Sequence, residues 1–73
     1  MLNIDINTVK SVYSGKDGKC CCGCAGTHWK NTDDNMRNVK RIVKKIENAT
    51  ELDNGGSYIA AVEGSRLYIV YFD

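Results

Sequence analysis

Seventy-three residues without proline, 42% apolar and 26% charged, describe one folded domain and exclude a low-complexity tail or a multidomain chain. A net charge of +1 excludes the bulk electropositivity of a general nucleic-acid binder, and no stretch approaches the 18 apolar residues of a membrane span. The charge is nevertheless uneven. Residues 10–45 hold nine of the ten basic residues, while residues 47–73 hold five acids against Arg66, so a basic side and an acidic side are expected.

In chain order, Ile4, Ile6, Val9, Val12 and Tyr13 form an irregular apolar pattern that suits a short strand. The first residues lack a positively charged leader followed by an apolar run, so the expected compartment is the cell interior, where thiols stay reduced. Residues 14–26 contain Gly15, Gly18, Gly23 and Gly26 and read as a compact glycine-rich loop. All four cysteines fall in it, at positions 20, 21, 22 and 24, and His28, the single histidine, follows closely.

Asn31 or Thr32 can cap a helix over 33–49, Asp33 and Asp34 suit its positive end, and Met36, Val39, Ile42, Val43, Ile46 and Ala49 recur at helical spacing. Arg37, Lys40, Arg41, Lys44 and Lys45 mark the opposite, solvated face, which also offers contacts to phosphates. Asp53-Asn54-Gly55-Gly56 then breaks the chain.

The end reads as a hairpin of residues 58–62 and 67–72 around Glu63-Gly64-Ser65-Arg66, with Gly64-Ser65 in a type II′ turn. That register places Val62, Leu67, Ala60, Ile69, Tyr58 and Tyr71 on one face and Ile59, Ala61, Tyr68, Val70 and Phe72 on the other. Both faces are apolar, and a single helix covers only one. The second face must meet the N-terminal segment, the cysteine loop or another subunit. Tyr58, Tyr68 and Tyr71 with Phe72 resemble a stacking platform, and at strand spacing they equally suit a core or an interface. The expected fold class is α+β, a single domain over residues 1–73 in the order β-loop-α-β-β, with self-association into a homo-oligomer in view.

Two readings of the cysteines stand side by side. Cys20, Cys22 and Cys24 share a face of an extended stretch, Gly23 lets the backbone curl, and with His28 they make a four-ligand set of the kind zinc takes. Lys16 and Lys19 would favour the thiolates. Against this, zinc sites usually combine two separated pairs and no second pair exists here, so the cysteines serve equally well as small apolar residues in a tight loop. A disulfide framework is disfavoured, because cysteines this close in sequence fit disulfide geometry poorly. Lys16, Gly18 and Lys19 offer an anion nest, although the spacing is not that of a Walker A loop. No acid–base pair accompanies the thiols, so an enzyme is not expected.

The run Val12-Tyr13-Ser14-Gly15-Lys16-Asp17-Gly18-Lys19-Cys20-Cys21-Cys22-Gly23-Cys24-Ala25-Gly26 resembles small, uncharacterised tailed-bacteriophage proteins that share the pattern YSGK-x-GKC-x-CGC-x-G. The likeness extends to the helix and to residues 60–71, and it leaves position 21 open, as the geometry of alternate sulfurs does. The resemblance implies a phage accessory protein made in the cytoplasm of an infected bacterium. The function expected is a non-enzymatic interaction module that binds a host or phage macromolecule, a protein foremost and a nucleic acid second. The alternative is an oligomeric binder of an anionic metabolite or nucleotide.

Overall fold

The computed structural model describes residues 3–16 and 26–72. They form an α+β domain in which one helix lies on a five-stranded antiparallel sheet of order β2-β1-β5-β4-β3. The strands are β1 (Ser11–Lys16), β2 (Gly26–Lys30), β3 (Asp53–Asn54), β4 (Tyr58–Glu63) and β5 (Arg66–Tyr71), and the helix α1 is Met36–Glu47. No helix among the described residues is long and apolar enough to cross a membrane.

The N-terminal residues do not begin the sheet. Ile6–Thr8 is a single 3₁₀ turn, capped where the Asn7 amide donates to Asp5 Oδ1 at 3.0 Å. Ile4 and Ile6 pack against the core beneath the helix, which explains their irregular spacing, and the Ile4 amide donates to Glu47 Oε2 at 2.8 Å. Asn31, expected as a helix cap, does something else. Its Nδ2 donates to the carbonyls of Ile6 (3.0 Å) and Val9 (2.7 Å), tying the first segment to the end of β2. Thr32 precedes a 3₁₀ turn at Asp33–Asn35 without a side-chain cap bond, so α1 proper starts three residues later than the pattern predicts.

The helix buries Val39, Ile42, Val43 and Ile46, at intervals of three and four. All four are β-branched and therefore poor helix formers, so burial and not propensity holds this segment helical. Against them the sheet presents Val12, Ile59, Ala61, Tyr68 and Val70, and Val12, Val39, Ile42, Ile46 and Val70 are fully buried.

The hairpin forms in the expected register, with Tyr58 opposite Tyr71, Ala60 opposite Ile69 and Val62 opposite Leu67. Gly64 has φ +63° and Ser65 has a negative φ, as a type II′ turn requires. Two strands escape the sequence pattern. Part of the expected loop is sheet, since Ser14, Gly15 and Lys16 complete β1 and Gly26 opens β2. Asp53-Asn54, expected only as a break, pairs with Ala60 and Ile59 as the edge strand β3 before the chain turns at Gly56, φ +91°.

Candidate interaction surface

Every strand alternates its side chains between two faces. The helix covers one. Registers across the sheet fix the composition of the other as three rows. The middle row runs His28, Tyr13, Ile69, Ala60, Asp53 from β2 to β3. On one side of it lies Lys30, Ser11, Tyr71, Tyr58, and on the other Gly26, Gly15, Leu67, Val62. This face has an apolar centre, cations and His28 at the β2 edge, and Asp53 at the β3 edge.

Aromatic rings cross it in sequence. Tyr13 and His28 stand 4.8 Å apart between centroids, His28 and Tyr71 6.0 Å, and Tyr71 and Tyr58 6.4 Å. Two local features set this row. Tyr13 lies flat over Gly15, where a Cβ would overlap its hydroxyl, and is thereby buried to 4% exposure. Ser11 is small enough that the Tyr71 ring leans past it toward β2. Burial, with the neighbouring Tyr13 and Tyr58 hydroxyls, raises the Tyr71 pKa above its ordinary 10.0. Ile69, Leu67, Tyr58 and Tyr71 remain half-buried and Val62 is 48% exposed, although no polar residue replaces them as on a solvated sheet face.

Two hollows flank the Tyr71 ring. One, about 440 Å³, is lined by Lys10, Ser11, His28, Trp29, Lys30 and Tyr71. The other, about 280 Å³, lies over Ala60 between Asp53, Tyr58, Leu67, Ile69 and Tyr71.

Among residues singled out from the sequence, Cys20, Cys22, Cys24, Gly18 and Lys19 lie outside the described residues, and so does the proposed zinc centre. Among the described residues no three His, Cys, Asp or Glu side chains are placed to hold a metal. The backbone of Lys16 ends β1 opposite Arg66. His28 stands exposed on edge strand β2, within the aromatic row.

Arg37, Lys40, Arg41 and Lys44 are exposed on the outer side of α1. Lys45 is drawn into an ion pair with Glu63 at 2.8 Å, and that hydrogen bond and charge raise its pKa above 10.5. Arg41 is also occupied, with its guanidinium 5.9 Å from the centroid of the Trp29 ring. The four-aromatic platform is divided by the sheet: Tyr58 and Tyr71 are on the open face, whereas Tyr68 and Phe72 pack under the helix. Tyr13 and His28 complete the row instead. Their spacing to Tyr71 is visible only once β1 pairs with both β2 and β5.

No family model, no curated protein and no solved structure matches the chain.

Proposed function

We propose that this chain is a non-enzymatic phage accessory protein, an interaction module that acts by occupying a macromolecule of phage or host origin in the cytoplasm of an infected bacterium. The phage assignment rests on the motif spanning residues 13–26. The binding assignment rests on one observation: Tyr58, Leu67, Ile69, Tyr71 and Val62 form a contiguous apolar face that the helix does not cover. Exposed apolar patches on this scale are costly to solubility and mark contact surfaces. The rim carries Lys10, Lys30 and His28 at one edge and Asp53 at the other, in keeping with an apolar interface centre inside a charged boundary.

A photoreactive phenylalanine analogue at position 71, irradiated in infected cells, tests this reading. A discrete covalent adduct is expected from position 71 and none from the same residue at position 40 on the outer helix. No adduct from position 71 removes the reading.

A further inference from the structure

We infer that the occupant of the sheet face left open among the described residues is a second copy of this chain, seated about a two-fold axis that runs along β5. The inference rests on the reading of that face as the binding surface and names its partner.

The argument is one of symmetry. β5 is the middle strand of five, so a two-fold axis along it, lying between two facing sheets, sets β5 on β5, β1 on the partner's β4 and β2 on the partner's β3. Each row of side chains then meets the same row of the other copy. In the middle row, Ile69 meets the partner's Ile69, Tyr13 meets the partner's Ala60, and His28 meets the partner's Asp53. In the next row, Tyr71 meets the partner's Tyr71 and Tyr58 meets the partner's Ser11. In the third, Leu67 meets the partner's Leu67, and Val62 meets the partner's Tyr13 ring where it lies over Gly15.

The larger side chains lie opposite the two hollows: the depression beside Ser11 faces the partner's Tyr58, whose ring rests against Gly55, and the depression over Ala60 faces the partner's flat Tyr13 ring and exposed His28. Charges also pair. The cationic edge of β2 lies over the acidic edge of β3, where Asp53 is exposed. A two-fold axis across the strands does the opposite: it sets Tyr13 on the partner's Tyr13 and Asp53 on the partner's Asp53, so bulk and charge both collide. An isologous contact must be self-complementary, and of these two axes the one along β5 makes this face so. The twist of about 30° between aligned packed sheets moves the edge strands by a few ångström, which the exposed side chains of His28 and Asp53 can follow.

The area bears on whether the contact can be specific. Five strands about 4.8 Å apart and three rows about 7 Å apart give a footprint on the order of 400 Å², and the pair buries on the order of 1,000 Å² of accessible surface. That is the lower bound of a specific interface. A reversible dimer is expected, populated at high protein concentration and dissociating on dilution. Pairing leaves both helices, with Arg37, Lys40 and Lys44, on the outside.

Sedimentation velocity on the untagged full chain tests the proposal. The mass should move with concentration between 8.1 kDa and twice that value. Ile69→Lys, which sets two like charges on the axis, should keep the chain monomeric with its circular dichroism unchanged. His28→Glu and Asp53→Lys should each weaken pairing by on the order of tenfold, and an equimolar mixture of the two should restore it, because the two substituted side chains then face each other with opposite charges and the second contact is the original one. A monomer at every concentration overturns the second copy, as does a dimer indifferent to Ile69→Lys or a mixture no tighter than its components. The cross-link from position 71 separates the two failures. An adduct to a different molecule from a chain that stays monomeric keeps the face as a binding surface and rejects self-pairing, whereas no adduct rejects both.

Discussion

The two faces of the sheet are built from the same strands and are both apolar, yet they use different side chains and meet different fates. Under the helix, Val12, Val70, Ile59 and Ala61, beside the single buried Tyr68, are short and mostly β-branched, and Val12 and Val70 reach zero exposure. On the open side, Tyr58, Tyr71 and His28 join Ile69 and Leu67, and these residues stay half-buried or exposed. Stiff branched side chains lose little entropy on burial and fill a closed layer. Aromatics with polar tips tolerate water at one end and supply a large contact area at the other. The comparison assigns stability to the first face and suits the second to the recognition proposed for it.

The sharpest way to break that assignment is a matched pair of truncations. Ile42→Ala removes a fully buried side chain at the centre of the helix–sheet layer and should cost about 2–5 kcal/mol, comparable to the whole stability of a domain this small. Ile69→Ala truncates the centre of the open face and should cost the monomer less than about 1 kcal/mol, because solvent already reaches that side chain. Urea denaturation of both variants at dilute concentration measures the contrast. Equal losses would mean that the open face is part of the core and not a surface.

A smaller effect separates shape from burial on the open face itself. Gly15→Ala places a methyl group where the Tyr13 hydroxyl lies, so the ring must lift from the sheet. The expected cost is about 1–3 kcal/mol from overpacking, together with a changed tyrosine signal in near-ultraviolet circular dichroism. A variant as stable as the parent with an unchanged signal would show that Tyr13 is not held down by the glycine floor.

Much of this division was legible in the sequence, and its limits are physical. The hairpin register follows from alternation and from one turn glycine, so the allocation of Tyr58, Ala60, Val62, Leu67, Ile69 and Tyr71 to one face is correct in advance. The helix follows from spacing, although its start does not, because Asn31 turns its amide to the carbonyls of Ile6 and Val9 instead of capping. β2 is invisible to pattern reading: of Gly26, Thr27, His28, Trp29 and Lys30, only Gly26 and Trp29 are half-buried, and an edge strand with so little apolar alternation looks like loop. β3, two exposed polar residues, carries no signal at all. Hence the aromatic row was unreadable. Tyr13, His28 and Tyr71 are brought together by two strand pairings, one of them with β2, which carries no strand pattern.

The smallest effect concerns protons. Tyr71 has its pKa raised above 10.0 by burial first and by the Tyr13 and Tyr58 charges next, so the folded chain holds that proton more tightly than the unfolded chain. The sign follows directly: this contribution is fully present below pH 10.0 and is lost as the pH rises through the higher folded value. Lys45, raised above 10.5 by its hydrogen bond to Glu63 and then by the Glu63 charge, fades in the same direction. The two are separable because they sit on opposite faces. Tyr71→Phe should flatten the alkaline fall in the denaturation midpoint and remove the latest component of the tyrosinate absorbance titration, while Glu63→Gln should leave that component in place. If the second copy covers Tyr71, the same component should move to still higher pH as protein concentration rises, because a phenol buried at the two-fold axis ionises only when the pair opens. A tyrosinate titration that ignores both the Tyr71→Phe substitution and the concentration would place Tyr71 in ordinary solvent and return the open face to an unoccupied surface.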